Sequence, residues 1–512
     1  MKSNEELTIR LDLESATAVH GESVFFTVVL SHSFDSPLSV TSFTPANRSL
    51  VMTMSGPGRR VYAADQISHS ERDGNPVNTP RAPEGRSLDP GETMELRGDL
   101  LEWFGPVPPG DYHLRITYSG IMRSIESEPA ALRILPVAIE ESTVSGCPRF
   151  GDTPLAAAWT HRDKDGYLVM YEQLGPHLPR NRLHCVEAAR TRERIIPWAA
   201  CPERPGITTG HVWWGDEKNT LAVASVDLSR PGSHTLHTVV PPTHGAVPAG
   251  SALSLSDGSM LIPMFDPEQE ELSILKSTDA GNTVISSSRL EGFSPNRPHA
   301  VFWKQNMLHL GWVDKNGTTI RSASMSFDTP SLKSERRTSC EVPETVMWIT
   351  VYEDRMQSAQ DLRALYLGEG KPPQEHGPRL MMWTVSAQPS GFVCNNISLA
   401  DGTKKAEVLM KAKKPGGIRV VHAAVTSENS LSVLFADTSD NLFYGGTGHG
   451  VVVPLKTRVK KKITLRDHPC LVVGSSYPWV HLRYVPGGKS IEYIRIEPAD
   501  EPDPVEKARE GE

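Results

Sequence analysis

The sequence predicts an all-β protein, and three observations support this fold class. The 40 glycines and 41 prolines among 512 residues exceed the usual combined share of about 12%, which favours many turns over long helices. Apolar and polar residues alternate in short runs such as Leu7–Leu13, which is the pattern of a half-buried strand. A strand-rich unit also recurs through most of the chain. Only residues 186–195 and 357–367 suggest short helices.

Residues 1–135 predict an N-terminal immunoglobulin-like β-sandwich. Residues 55–86 form a long insertion that is too polar and too rich in Pro, Gly, Arg and Asn to build a core. A turn at residues 89–91, Trp103, a second turn at Pro109-Gly110 and an alternating strand follow in that order. This layout is typical of immunoglobulin-like sandwiches.

One stretch of this module carries a family resemblance. Between residues 86 and 120 the chain reads Leu88-Asp-Pro-Gly-Glu-Thr93, then Trp103, then Pro108-Pro-Gly-Asp-Tyr112. This pattern resembles the bacterial intracellular proteinase inhibitor family. The resemblance implies a β-sandwich, and we do not carry inhibitor activity over to this chain.

The recurring unit in residues 136–500 predicts a β-propeller. Each copy has an apolar strand, a turn, a second apolar strand, another turn and a polar alternating strand. Most copies begin roughly 40–50 residues apart, which is the spacing of four-stranded blades. We count about seven blades, with six or eight as alternatives. The copies begin at Pro154, Gly210, Ser251, His299, Val346, Val420 and Cys470. Residues 501–512 are acidic, and we expect a disordered tail.

The third copy contains a specific turn signal. Ser277, Asp279, Gly281 and Thr283 have the spacing S-x-D-x-G-x-T. In a tight hairpin, Asp279 would accept backbone N–H groups and Gly281 would supply a positive φ. The string resembles the Asp-box, or BNR repeat, of the sialidase-like β-propellers, although Val284 stands where that family has Trp. The resemblance implies a structural device at the propeller periphery and not a catalytic element.

The same resemblance makes a sialidase-type glycoside hydrolase the enzyme alternative. That family has an Arg-Ile-Pro motif, an arginine triad, a Tyr–Glu pair and an acid/base Asp. The nearest string here, Arg194-Ile-Ile-Pro197, has one residue too many. Arg321, Arg419 and Arg483 are candidates to converge on a ligand. Because no catalytic motif is intact, we predict no catalytic residues and lean towards a protein without enzymatic activity.

Four tryptophans lie at or near the first strand of their units: Trp214, Trp303, Trp348 and Trp479. The inner strands of a propeller border its channel, so these side chains are candidates for a ligand platform. Packing between blades is the interpretation that we favour, because aromatic side chains often fill such cores.

Two basic stretches, residues 404–414 and 456–466, lie at junctions between units. Such charge could bind RNA, a phosphorylated partner or an acidic protein face. Met410 and Lys411, followed by Lys413 and Lys414, are candidates for an exposed loop that is cleaved or bound by another protein.

Composition excludes several classes of partner and cofactor. The 53 Lys and Arg against 61 Asp and Glu give a formal net charge of −8, which disfavours duplex nucleic acid. No apolar run reaches the ~18–20 residues of a membrane span, and the polar N-terminus lacks the apolar segment of a signal peptide. Six cysteines without a CxxC pair indicate reduced thiols and no zinc site. His234, His237 and His244 are poor metal ligands, since strand positions three apart face opposite sides.

We therefore expect a cytoplasmic protein without cofactor, metal or membrane partner. The primary hypothesis is a non-enzymatic scaffold or adaptor that binds partner proteins through a propeller face and the N-terminal sandwich. The alternative is a carbohydrate-binding propeller or a divergent sialidase-like hydrolase. A further alternative is a regulatory protein that acts as the partner or substrate of a protease.

Overall fold

The structure of the chain is a computed structural model. The structure describes residues 7–43, 49–56, 61–65, 85–104, 107–120, 124–137, 139–145, 155–174, 182–204, 206–215, 220–228, 234–278, 280–304, 307–317, 319–326, 334–341, 346–354, 379–412, 416–426, 429–448, 450–455, 469–473, 478–482 and 492–495.

Backbone contacts divide the chain into two compact units. Unit 1 comprises Met1–Ala138, Arg182–Glu187 and Tyr484–Ile491. Unit 2 comprises Ile139–Asn181, Ala188–Arg483 and Glu492–Glu512.

Unit 1 is a two-sheet β-sandwich. One sheet has the strand order β1-β3-β8, and the other has the order β2-β11-β9-β5-β6 with β10 beside β9. Strands β4 and β7 form a separate pair. The bounds are β1 Leu7–Leu13, β2 Thr17–Val19, β3 Phe25–His32, β4 Leu38–Thr41, β5 Leu50–Ser55, β6 Val61–Asp65, β7 Gly85–Leu88, β8 Thr93–Asp99, α1 Leu100–Phe104, β9 Gly110–Ser119, β10 Ser124–Glu126 and β11 Ala130–Leu135.

Two sequence expectations concern this unit. Strand β6 lies inside the insertion expected at residues 55–86, so part of that insertion extends a sheet of the sandwich. Among the described residues α1 is the single helix. No helix in that part of the chain has the length and apolar character needed to cross a membrane.

Alternation along the strands builds one core between the two sheets. Phe26, Val28 and Leu30 of β3 are buried, while the residues between them are half-buried. They pack with Leu114 of the opposite sheet in one apolar cluster. Trp103 of α1 meets Phe26 edge-on, with ring centroids 5.3 Å apart. Full burial of a Phe, Val or Leu side chain in such a core contributes about 1.5–3 kcal/mol to folding.

Two tyrosine hydroxyl groups fasten β9 to neighbouring backbone. Tyr112 Oη donates a hydrogen bond of 2.5 Å to the carbonyl of Pro108, four residues upstream. Tyr118 Oη accepts from the Thr41 amide at 2.7 Å and donates to the Thr41 carbonyl at 3.2 Å. A tyrosine bonded to backbone a few residues upstream is a known feature of immunoglobulin-like sandwiches. The immunoglobulin-like assignment stays a prediction.

Unit 2 is a β-propeller, in which seven sheets follow one another along the described chain. The first three sheets contain β12 Ile139–Ser145, β13 Leu155–Asp163, β14 Gly166–Leu174 and β15 Arg182–Thr191; β16 Trp198–Ala199, β18 Thr209–Gly215, β19 Leu221–Asp227 and β20 His234–Val239; and β17 Cys201–Pro202, β21 Val247–Pro248, β22 Leu253–Ser254, β23 Met260–Asp266, β24 Glu271–Thr278 and β25 Gly281–Arg289. The last four contain β26 His299–Lys304, β27 Met307–Val313, β28 Thr319–Ser326 and β29 Ser334–Glu341; β30 Val346–Asp354, β31 Arg379–Gln388, β32 Gly391–Ser398 and β33 Lys404–Lys411; β34 Arg419–Val425, β35 Leu431–Ala436, β36 Leu442–Gly446 and β37 Val452–Pro454; and β38 Pro469–Val473, β39 Pro478–Leu482 and β40 Glu492–Arg495.

The all-β class and the propeller are confirmed, with two corrections of detail. The starts predicted at Pro154, Gly210 and Ser251 are wrong, because the first three sheets contain earlier strands, which are β12, β16 and, in the third sheet, β17 and β21. The helix suggested near residues 186–195 is also wrong, because its first part belongs to strand β15. The second suggested helix, at 357–367, lies outside the described residues. The count of seven closed blades stays a prediction.

Strand direction fixes where the connecting segments lie. Adjacent strands of a blade are antiparallel. The segment that leads from the fourth strand of one sheet to the first strand of the next therefore lies at the same end as the hairpin between strands two and three. We call this end the crossover face of the propeller unit. It includes the segment at residues 192–197 and the hairpin at 163–166.

The fifth sheet buries apolar side chains on both of its faces. In the fifth sheet, Met382 packs with Phe302 of the fourth sheet. The next residue, Trp383, points the other way and packs with Phe435 of the sixth sheet. Gly311 allows the close approach of the fourth and fifth sheets, because a Cβ there would lie 2.6 Å from Met382 Sδ. The packing of the fifth sheet therefore depends on both of its neighbours.

A buried histidine makes the stability of this unit sensitive to pH. His309 on β27 is 6% exposed, and its Nδ1 lies 2.8 Å from Ser324 Oγ. Burial, with a smaller contribution from the Lys304 ammonium, lowers the pKa of His309 from 6.5 to about 4. The native state therefore disfavours the proton that the unfolded state binds below pH 6.5.

We expect the free energy of unfolding to fall as the pH is lowered from about 6.5 to 4, with His309 responsible for up to about 3 kcal/mol of the loss. His309→Gln should remove that part of the pH dependence. Urea titrations at pH 7.5, 5.5 and 4.5 check this. His244→Gln, at an exposed position, is the control and should follow the wild type. Equal slopes for His309→Gln and wild type would contradict the assignment.

Candidate functional site

The structure describes the side chains of three of the four tryptophans predicted as ligand candidates. Trp214 and Trp303 are buried at 6% and 3% exposure. Trp303 packs between the third and fourth sheets, and its indole N–H donates to the Ser251 carbonyl at 2.9 Å. Trp348 is half-buried and packs against the cluster between the fifth and sixth sheets. The side chain of Trp479, on β39, lies outside the described residues. For Trp303 and Trp348 the structure therefore shows packing between sheets.

The candidate arginines each lie beside a carboxylate. Arg321 on β28 has Nη1 3.7 Å from Glu291 Oε2. Arg419 on β34 is 64% exposed, and its Nη2 lies 3.0 Å from Asp440 Oδ1. These arginines belong to the fourth and sixth sheets, and Arg483 lies outside the described residues. Arg321 and Arg419 therefore each have a local carboxylate partner, and the convergence of the three arginines on a ligand stays a prediction.

The string that resembles an Asp-box spans the hairpin between β24 and β25 of the third sheet. Thr278 and Gly281 pair across the turn, and Gly281 has a φ of 134°. The side chain of Ser277 is buried, with its Oγ 2.8 Å from His237 Nε2 of the second sheet. Thr283 is exposed and Val284 is 49% exposed. Asp279 lies outside the described residues, so the Asp-box assignment stays a prediction.

The prediction of an exposed loop at Met410 and Lys411 is wrong. Both residues belong to strand β33, and Met410 is fully buried in the cluster that contains Phe392 and Phe435. Lys411 is exposed, but its backbone N–H donates to the Gly450 carbonyl at 2.9 Å. The lysines around Met410 lie on the outermost strand of the fifth sheet, where charge protects an open edge. Lys413 and Lys414 lie outside the described residues.

One tryptophan differs from the other eight whose side chains the structure describes. Trp198 is 42% exposed, whereas the others are buried or half-buried. It lies on β16, the first strand of the second sheet, directly opposite Trp213 of β18. The two rings stack with centroids 5.7 Å apart and planes 15° apart. Trp213 is 4% exposed and belongs to the core. A buried indole thus supports an exposed one.

The segment that precedes Trp198 is held against β12 of the first sheet at two points. The Arg194 guanidinium forms an ion pair with Glu141, which raises the pKa of Arg194. Thr143 Oγ1 donates to the Pro197 carbonyl at 2.5 Å. Ile196, between them, is 55% exposed. Ile196 and Trp198 are therefore two exposed apolar side chains on a backbone that is fixed in place.

Charged groups flank this segment in matched pairs. Glu141 and Arg194 are 28% and 58% exposed at their side chains, so both still reach solvent. Glu140 lies 3.9 Å from Arg162, which borders the hairpin at 163–166. The site combines a flat aromatic surface with guanidinium donors and carboxylate acceptors. We call Trp198, Ile196, Arg194 and Glu141 the Trp198 site.

Our sequence interpretation missed Trp198 as a binding candidate. It considered the string Arg194–Pro197 only for its likeness to a sialidase motif, and it placed the tryptophan candidates inside the repeating units. The available signal was a tryptophan directly after Pro197, between two units. Segments between units cross the surface, where binding residues are concentrated.

No group of three His, Cys, Asp or Glu side chains in the described ranges could hold a metal ion. His237 is bonded to Ser277, and His234 and His244 are exposed. Cys185, Cys201 and Cys394 are buried. Burial raises the pKa of the Cys394 thiol to about 12, which suits a packing role and not a nucleophile.

Comparison with known proteins gives similarity to solved structures alone. No family model matches the sequence, and no curated protein matches it. The chain is similar to AofleA from Arthrobotrys oligospora at 10% identity, covering 63% of this chain and 91% of that one, with a TM-score of 0.34. It is similar to the fucose-binding, six-bladed lectin of Aleuria aurantia at 11% identity, covering 72% and 100%, with a TM-score of 0.32. It is also similar to Kuenenia stuttgartiensis hydrazine synthase at 8% identity, covering 70% and 95%, with a TM-score of 0.41. Likenesses at these scores carry no argument about blade number or ligand.

The burial of Met410 gives a direct test of the corrected loop. Met410→Asp places a carboxylate in an apolar cluster and should destabilise unit 2 by more than about 3 kcal/mol. Lys411→Asp, one residue further on an exposed position, should change stability by less than about 0.5 kcal/mol. Thermal unfolding of both variants measures the contrast. Equal stability of the two variants would show that Met410 does not lie in the core.

Proposed function

We propose that this protein binds carbohydrate at the Trp198 site. The observation that carries the proposal is the exposed indole of Trp198, stacked on the buried indole of Trp213. A pyranose ring has an apolar face of C–H groups and a rim of hydroxyl groups. An exposed flat indole is suited to the face, since aromatic rings bury a large apolar area with little loss of side-chain freedom.

The groups beside Trp198 suit the rim of a sugar. A hydroxyl group both donates and accepts hydrogen bonds, and the Arg194–Glu141 pair supplies a guanidinium donor and a carboxylate acceptor side by side. The hydrogen bond from Thr143 Oγ1 to the Pro197 carbonyl holds the segment in place. A segment that is already fixed loses less conformational entropy on binding. The site is built on the crossover face, where connecting segments are free to vary without disturbing the sheets.

We propose binding without hydrolysis at this site. The residues at the Trp198 site provide stacking and hydrogen bonds, and the paired charges of Arg194 and Glu141 offset each other. The Asp-box resemblance at 277–283 and the immunoglobulin-like assignment of unit 1 remain parts of this proposal. The hydrogen bond from Tyr112 to Pro108 supports the immunoglobulin-like assignment.

A scaffold function is the second candidate, and a different surface favours it. Leu236 and Val240 are each 59% exposed at the outer edge of the second sheet, and Val284 is 49% exposed at the outer edge of the third. Asn282 Nδ2 donates to the Val240 carbonyl at 2.9 Å, so the two edges adjoin. Adjacent exposed apolar groups suit a protein partner in the cytoplasm. Cross-linking in host extract should capture a defined partner with wild type and lose it with Leu236→Lys.

The carbohydrate proposal is tested by a glycan array followed by titration of the best glycan. Trp198→Ala should weaken binding by at least about tenfold, since removal of a stacking surface costs roughly 1.4 kcal/mol or more. Trp198→Phe keeps a flat ring and should retain part of the affinity. Isothermal titration calorimetry gives the dissociation constants, and thermal unfolding confirms that each variant is folded.

Leu236→Ala is the matched control, because it removes an exposed apolar side chain elsewhere in the same unit. Its affinity should equal that of wild type. If the array gives no glycan, the function is wrong. If a glycan binds and Trp198→Ala binds it as tightly as wild type, the function stands at another site.

A further inference from the structure

Three buried polar side chains lie together in the fifth sheet, and no residue in the described part of the chain forms a hydrogen bond with their polar atoms. Thr384 on β31 pairs directly with Asn395 on β32, and Ser386 is two residues beyond Thr384 on the same face. All three residues have no exposed surface. Thr384 Oγ1, Ser386 Oγ and both amide atoms of Asn395 form no hydrogen bond with any residue that the structure describes.

The packing shows which way this face points. Met382 precedes Thr384 by two residues, and Ile397 pairs with Met382, so both share its face. Met382 and Ile397 pack with Phe302 of the fourth sheet. The polar groups therefore point into the interface between the fourth and fifth sheets. The opposite face, which carries Trp383, packs on the sixth sheet.

Buried polar groups in native proteins are almost always hydrogen-bonded to protein or to ordered water. An isolated buried amide costs more free energy than a typical hydrogen bond contributes. Four such atoms on one small patch therefore need hydrogen-bond partners in the interface between the sheets. The patch is a candidate binding site that is independent of the Trp198 site.

We propose that Thr384, Ser386 and Asn395 hold ordered water in the interface between the fourth and fifth sheets. The chemistry of the patch favours water over an ion. Asn395 Nδ2 needs an acceptor, which a cation does not provide, and Asn395 Oδ1 needs a donor, which an anion does not provide. Water supplies both, and buried water typically forms about three hydrogen bonds with such groups.

Substitution of one hydroxyl group by an isosteric methyl group separates the two outcomes. If Thr384 Oγ1 binds ordered water, Thr384→Val removes a hydrogen bond and should lower the midpoint of thermal unfolding by a few degrees. If Oγ1 has no partner, the same substitution removes a buried unpaired group and should leave the midpoint unchanged or raise it. A midpoint that is unchanged or higher would overturn the proposal.

Thr160→Val is the matched control. Thr160 has no exposed surface, and its Oγ1 accepts from the Glu141 amide at 3.2 Å. That variant should lose stability, and its shift calibrates the loss of one hydrogen bond. A crystal structure of the wild-type chain at better than about 2 Å gives an independent measure. Density for water within hydrogen-bond distance of Thr384 Oγ1 and Asn395 would support the proposal, and a site without such density would overturn it whatever the variants do.

Discussion

The propeller unit depends on one constraint, which is that a four-stranded sheet with two apolar faces cannot bury both faces alone. Consecutive residues of a strand point to opposite faces, so Met382 requires the fourth sheet and Trp383 requires the sixth. Each sheet therefore derives its stability from its neighbours, as in other repeat architectures. Close approach follows from the same constraint, and Gly311 is small where Met382 must fit.

Polar groups inside these interfaces must find partners across them. His211 of the second sheet lies 2.8 Å from Ser254 of the third, and His237 lies 2.8 Å from Ser277 in the same pair of sheets. These contacts connect sheets in addition to apolar packing, and they fix how one sheet sits on the next. Thr384 and Asn395 lie in a comparable position, and water is the partner that matches their donors and acceptors.

The side chains suited to binding lie where this constraint is weakest. The segments between sheets do not have to fill an interface, so their side chains are free to face solvent. Trp198 shows the arrangement: the adjoining strand fixes its backbone, Trp213 supports one side of its ring, and the segment from Arg194 to Pro197 holds it against the first sheet. A rigid fold thereby presents one large aromatic surface beside paired charges.

The sequence by itself determined the elements that depend on local pattern. Alternation predicted the strands, the recurring unit predicted the propeller, and Gly281 marked a hairpin that the structure contains. The sequence misplaced residues whose burial depends on distant strands. Met410 sits among lysines in sequence, yet it is buried because Phe392 and Phe435 lie over its face. Trp198 stands outside the predicted repeats, yet it is the exposed one among the nine tryptophans whose side chains the structure describes. Local pattern fixes which residues share a face, and only tertiary structure decides whether another sheet or solvent covers that face.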